Sequence, residues 1–208
     1  MHQLIKKYLT EGENEKLDFK QTISSASKIA KTISAFANHR GGIILVGVRD
    51  NRTVSGIESE DEKYMMDLAA SFYCKPEIKL TIREMDIEGK TVLEVWVPES
   101  KEKPIYAKGE DGKWWVYVRV KDKCLLASKI TVDVMRRQNH PSGTMIKFSK
   151  HEENILNYLK TNERITLKQA CKMFNLSRWR TSKIFVNLIS VGTIRSHTHE
   201  KEEYFTLV

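Results

Sequence analysis

Apolar residues recur at three- and four-residue spacing from Ser24 to Arg40, with Ile29, Ile33, Phe36 and Ala37 on one stripe, and this predicts a helix. Gly41-Gly42 ends it, as helix C-termini prefer. Ile43 to Val48 is then an almost wholly apolar run, the pattern of a strand buried on both faces. Ser59 to Tyr73 reads as a second helix, stopped before Pro76. Ile78–Ile87 and Thr91–Val97 flank the turn Glu88-Gly-Lys90 and predict a hairpin. Ile105–Ala107 and Trp114–Val120 flank Gly109-Glu-Asp-Gly112 and predict another, with Trp114 and Trp115 facing opposite sides, one core and one exposed. Ser128 to Gln138 closes this region as a helix with Ser128 as N-cap.

His140-Pro-Ser-Gly143 breaks regular structure, so a linker is placed at 140–147 between a first domain, 1–139, and a second, 148–208. In the second domain Ser149 and Glu152 form a capping box for a helix whose apolar face is Ile155, Leu156 and Leu159. Thr166 caps a helix with Leu167, Ala170 and Phe174 inward; Leu176-Ser177 makes a turn, and Ser177 caps a third helix carrying Ile184, Leu188 and Ile189. After Gly192, Thr193–Ser196 and Tyr204–Leu207 pair as strands around a charged tip. That order is the pattern of a winged helix-turn-helix. The fold class expected is therefore α+β: a mixed-sheet domain followed by a small winged helix-turn-helix domain.

Composition adds a sign and a setting. The chain has 208 residues, 40% hydrophobic and 30% charged, enough to bury a core and unlike a disordered chain. Its net charge of +8 favours an anionic partner. The positive charge is denser in the second domain, and from Arg164 through His199 there are seven bases and no acid. Cys74, Cys124 and Cys171 are odd in number and far apart. That spacing excludes a disulfide framework and a CxxC metal knuckle, and it points to a reducing, cytoplasmic setting. Gly41 to Val48, the longest apolar stretch, is far too short for a bilayer, and Lys6 and Lys7 interrupt any signal-peptide core, so no membrane partner is expected.

Nucleic acid is the partner this charge fits best, double-stranded DNA ahead of RNA. A recognition helix presents donors at its N-terminal end to base edges and phosphates. Here that end carries Arg178, Trp179, Arg180, Thr181 and Lys183. The wing offers Arg195, His197, His199 and Lys201 to backbone phosphates or the minor groove. The binding residues expected are Arg178, Arg180, Thr181, Lys183, Arg195 and Lys201. Trp179 reads equally well as core or contact. His197 and His199 share a strand face but lack further metal ligands. A homodimer is the default for a winged helix that reads two half-sites.

Four ordered elements in the first domain carry a family resemblance: Gly12-Glu-Asn-Glu-Lys-Leu-Asp-Phe-Lys20, Ala35-Phe-Ala-Asn-His-Arg-Gly-Gly42, Ile44-Leu-Val-Gly-Val-Arg-Asp50 and Val116-Tyr-Val-Arg119. Over roughly residues 10–130 the chain resembles the Schlafen AlbA-like domain, whose bacterial members often continue into a C-terminal winged helix. The resemblance implies a DNA-binding protein of the transcriptional-regulator type; some relatives carry an older label as divergent ATP-binding proteins. It also implies an alternative, since eukaryotic Schlafen members include RNA endonucleases with a three-carboxylate metal site. Transferred residue by residue, that site falls on Glu13, Asp18 and Asp50, with Lys20 beside Asp18 to stabilise phosphate charge. Mg²⁺ or Mn²⁺ would be its cofactor; the regulator reading needs none. The family position of Asp18 is usually Glu, so its reach to a metal is shorter, and Glu15 is either a substitute ligand or an exposed acid.

Each of these residues also has a structural reading. Asp18 and Lys20 can serve the fold, Asp50 can cap the turn Asp50-Asn51-Arg52, and Gly41-Gly42 can simply let the chain turn. Nucleotide hydrolysis is disfavoured, because no GxxxxGK[ST] phosphate loop occurs and Gly41-Gly42 leads into a strand. A third class, a non-catalytic protein-assembly module, requires no duplex binding.

Overall fold

The computed structural model describes residues 2–57, 60–139, 148–200 and 202–208. The chain divides into two compact units, residues 1–127 and 128–208. The first begins with helix α1 (His2–Glu11), strand β1 (Leu17–Lys20), helix α2 (Ala26–Asn38) and strand β2 (Gly42–Val46). Helix α3 (Asp61–Phe72) and strands β3 (Cys74–Lys75), β4 (Thr81–Ile87) and β5 (Lys90–Val97) follow, then β6 (Tyr106–Lys108), β7 (Trp114–Val120) and β8 (Lys123–Leu126).

One sheet has the order β1-β2-β5-β4, with β1 and β2 parallel and the remaining pairs antiparallel. The uniformly apolar sequence of β2 follows from cover on both faces. Leu45 joins Ile5 of α1, Phe19, Met85 and Val92 in one cluster. Ile44 and Val46, alternating to the other face, join Ile29, Ile33 and Phe36 of α2. A second sheet, β3-β6-β7-β8, supplies Ala107 and Tyr117 to the same cluster. Lying between two sheets, α2 buries 11 of its 13 residues, so its apolar stripe is wider than a surface helix needs.

Two glycines have a direct steric reason. Gly12 ends α1 at φ +71°, and a Cβ there would lie 2.6 Å from Arg52 Nη2. That guanidinium donates to Thr10 O at 3.2 Å, placing a cation at the negative end of the helix. At Gly42 a Cβ would fall 2.5 Å from the Phe36 ring.

The second unit opens with helix α4 (Lys129–Gln138), capped by Ser128, whose side chain accepts from Thr131 N. Helix α5 (Lys150–Thr161), strand β9 (Ile165–Thr166), helices α6 (Leu167–Met173) and α7 (Arg178–Ser190), and strands β10 (Ile194–Thr198) and β11 (Glu203–Leu207) complete it. Complete capping boxes start α5 (Ser149/Glu152) and α6 (Thr166/Gln169), and Ser177 caps α7 by accepting from Arg180 N. The three strands pair antiparallel in the order β10-β11-β9. The core gathers Ile155, Leu159, Ile165, Ala170, Ile184, Leu188 and Ile194 around the Phe185–Phe205 ring pair, centroids 4.3 Å apart.

Several features depart from expectation. Ile130 and Val134 of α4 join this second core, so the division between units falls ahead of α4, at 127/128, instead of after residue 139. The expected linker, 140–147, and the expected helix start at Ser59 lie outside the described residues. Trp114 and Trp115 are both exposed, at 40% and 36%, because they sit at the hairpin end of β7, where Trp115 turns to Asp111. No helix among the described residues is long and apolar enough to cross a membrane.

Candidate functional site

Strand alternation sends Phe19 toward α1 and turns Asp18 and Lys20 to the face that α2 covers. Asp18 is 4% exposed. Its Oδ1 accepts from Arg119 Nη1 at 2.8 Å, and its Oδ2 accepts from Lys20 Nζ. A guanidinium has five N–H donors, and Arg119 places all of them. Nη1 also reaches Cys124 Sγ at 3.3 Å, Nε and one Nη2 hydrogen go to Asn14 O at 3.2 and 3.0 Å, and the other Nη2 hydrogen goes to Leu17 O at 3.0 Å. The guanidinium also lies over the Phe36 ring, 4.8 Å from its centroid. Burial works against the charge on Arg119, but the Asp18 carboxylate and the Cys124 sulfur outweigh it and raise the pKa.

The other acids are placed separately. Glu13 Oε1 accepts from Phe19 N at 2.9 Å, which ties the end of α1 to β1. Glu15 is exposed, as is Asp50 on the tight turn after β2. The capping expected of Asp50 is performed by Asn51, whose Oδ1 accepts from Thr53 N at 3.1 Å and Thr53 Oγ1 at 2.7 Å. Among the described residues no group of three His, Cys, Asp or Glu side chains comes together to hold a metal ion. The triad Glu13, Asp18 and Asp50 is therefore not assembled. Asp18 is already neutralised by two cations, and Glu13 is held by a backbone N–H. A resident Mg²⁺ or Mn²⁺ does not fit this arrangement.

The second motif is likewise built into the fold. Asn38 is buried, donates from Nδ2 to Ile105 O and Tyr117 O at 2.9 Å each, and accepts Ile105 N at 2.7 Å. One amide thus joins α2 to β7 and to the residue ahead of β6. His39 follows it; burial pushes its pKa down, so the imidazole stays neutral near neutral pH. The signal for Arg119 was present in the sequence as a lone cation inside an otherwise apolar strand, Trp114–Val120.

In the second unit α7 turns one face to the core and the other to solvent. Thr181, Ile184, Phe185 and Leu188 turn into the core. Arg178, Arg180 and Lys183 are exposed. Trp179 is 65% exposed, with Lys183 Nζ 3.9 Å from its ring centroid, a cation–π contact. The expectation that Thr181 offers a contact to nucleic acid is corrected: it is fully buried and its Oγ1 donates to Ser177 O at 3.0 Å. At 100° per residue Val186 falls on the same outward stripe as Trp179 and Lys183. It is nevertheless only 9% exposed and shares a cluster with Ile130 and Val134, so α4 covers the C-terminal half of that stripe. The N-terminal turns stay open.

On β10 Arg195 is exposed, and Lys201 lies outside the described residues. His197 and His199 do share a face. Their rings stack on Tyr204 at 4.9 and 5.5 Å, and Arg164 lies 5.2 Å from the Tyr204 centroid. Tyr204 and Arg164 were not singled out from sequence; the stack forms only when β10 and β11 pair.

Among solved structures the chain is similar to the DIP2311 protein from Corynebacterium diphtheriae, at 16% identity and a TM-score of 0.46, covering 71% of this chain and 30% of that one. It is also similar to the N-terminal domain of a RecG-related protein from Nitrosomonas europaea, at 23% identity and a TM-score of 0.43, covering 61% of this chain and 94% of that one. The chain thus spans about 30% of the length of the Corynebacterium protein. No curated protein matches it. Residues 13–128 match the family described as Schlafen, AlbA_2, a span that contains Asp18, Asn38 and Arg119 with the bonds just described. More than half of the chain lies in that match, and the chain belongs to the Schlafen AlbA_2 family.

Proposed function

We propose that the chain is a nucleic-acid-binding protein whose second unit is a winged helix-turn-helix that docks on duplex DNA, acting as a transcriptional regulator. The observation that carries this reading is the exposed N-terminal end of α7, where Arg178, Arg180 and Lys183 stand in a stretch, 164–199, free of acids. The element order α5-β9-α6-α7-β10-β11, with β10 and β11 forming a hairpin beside β9, supports the assignment of α7 as the recognition helix. Cover by α4 confines exposure to the end of α7 that such helices insert. The helix dipole adds positive potential there. Arg195 on β10, with Lys201 beyond it, serves the phosphate backbone in this reading. The Schlafen AlbA_2 unit contributes a second nucleic-acid surface.

The test is duplex affinity as a function of salt. Each phosphate contact contributes a slope of about 0.9 in log affinity against log salt. The double variant Arg178→Ala, Arg180→Ala is expected to weaken binding and to flatten that slope by about 2. Unchanged affinity and slope would remove α7 from the interface.

A further inference from the structure

A cavity of about 420 Å³ opens within the second unit between α4, α6, α7 and the start of β11. That is within the roughly 300–1,000 Å³ usual for small-ligand sites. Its lining divides into three kinds of chemistry. Ile130, Leu167 and the Trp179 indole are apolar walls; Arg178 and Lys183 are cations; Glu203 is a carboxylate. Lys129 and Asp133, also at its edge, neutralise each other at 2.5 Å. Glu203 is oriented by Ser128 Oγ at 2.9 Å and Thr131 Oγ1 at 3.1 Å, both of which donate to its Oε1. Its Oε2 accepts no hydrogen bond among the described residues. Burial raises its pKa against the opposing effect of those two bonds.

We infer that this cavity is a binding site for one nucleotide unit with an amino-bearing base. A ligand matched to the lining needs a flat ring for the indole and aliphatic walls, a donor edge for Glu203, and an anion for Arg178 and Lys183. Stacking on an indole is sequence-tolerant because every base has a π-face. A carboxylate accepting from an exocyclic amine favours cytosine, adenine or guanine over uracil or thymine, which carry no amine and offer only the ring N3–H. The phosphate pairs with Arg178 and Lys183, which also stand at the exposed end of α7. The nucleotide reaches the site from one of two sources: free in solution as an effector, or extruded from a nucleic-acid strand docked on α7. The second source rests on the DNA reading proposed above; the first does not.

The experiment uses the full chain. Tryptophan fluorescence is titrated with GMP, UMP and inorganic phosphate, and binding is compared between a fully paired duplex and one with a single unpaired guanine. Saturable quenching by GMP, at least tenfold weaker with UMP and absent with phosphate, is expected for a free effector. A tenfold or greater preference for the bulged duplex is expected for the strand-borne source. Either signal is to be lost in Trp179→Leu, whose side chain is exposed, and weakened about tenfold in Glu203→Gln. No GMP quenching together with equal affinity for both duplexes overturns the proposal, as does a signal that survives both substitutions. Arg180, which is not part of the lining, separates the two readings. Arg180→Ala is expected to weaken paired-duplex binding and leave the GMP titration unchanged.

Discussion

Arg119 and Asp18 meet at 2.8 Å across 101 residues of sequence, and both side chains are almost wholly buried, at 1% and 5% exposure. The pair joins the strand after α1 to the second sheet and uses the carboxylate that a metal site would need. Asp18→Asn leaves the Arg119 charge without its counter-charge in the interior. Breaking one partner of a buried pair costs about 3–5 kcal/mol, and urea denaturation in metal-free buffer is expected to show a loss of this order. Lys20, 37% exposed at its side chain, is a partly solvated partner of the same carboxylate. Lys20→Ala is therefore expected to cost no more than about 1 kcal/mol. Full stability of Asp18→Asn without metal would disprove the structural role.

Asn38 makes a second prediction. Its amide answers one N–H and two carbonyls from Ile105 and Tyr117. Each buried polar group left unanswered costs about 1–3 kcal/mol. Asn38→Ala is expected to lower stability by about 2–5 kcal/mol. Asn38→Asp is expected to be worse, because it keeps the acceptor for Ile105 N but turns a charge toward two carbonyl oxygens. Thermal melting of the two variants side by side checks the order.

Thr181 and Arg180 are neighbours in sequence with opposite tasks. Thr181→Ala is expected to cost about 1 kcal/mol of stability through the lost hydroxyl contact and to leave duplex affinity unchanged. Arg180→Ala is expected to leave stability within about 0.5 kcal/mol and to weaken duplex binding. A matched pair of melting curves and salt titrations reads both effects. Reversal of the pattern would mean that α7 faces the other way.

Tyr8 gives a pH signature. Its hydroxyl donates to Glu94 Oε1 at 2.9 Å, and burial, followed by that carboxylate, pushes its pKa up to about 12. A phenol in an unfolded chain titrates near about 10. The native state therefore holds the proton longer. The stabilisation is fully present below about pH 10 and is lost as pH rises through about 12. Tyr117 is also shifted upward by burial, so absorbance titration of tyrosinate should show more than one late-ionising group, and Tyr8→Phe should remove the one at about 12. It should also flatten the alkaline fall in stability.

Features set by near neighbours in the chain are legible in the sequence. The capping box Ser149/Glu152, the Thr166 and Ser177 caps, the periodic stripe of α2 and the apolar run of β2 all appear as read. Each depends on hydrogen bonds or face periodicity within a few residues, which the order of amino acids determines directly. The acid-free run through α7 is likewise a property of sequence alone. Tertiary structure decided the rest. Asp18 and Asp50 both looked like ligands until Arg119, far along the chain, occupied one and the turn held the other in solvent. Trp179 faces outward and Thr181 inward because the phase of α7 is set by which side meets Phe205 and Ile155. Helix α4 was recognised, but its unit was not. Local capping makes a helix, while long-range burial of Ile130 and Val134 chooses the core it joins.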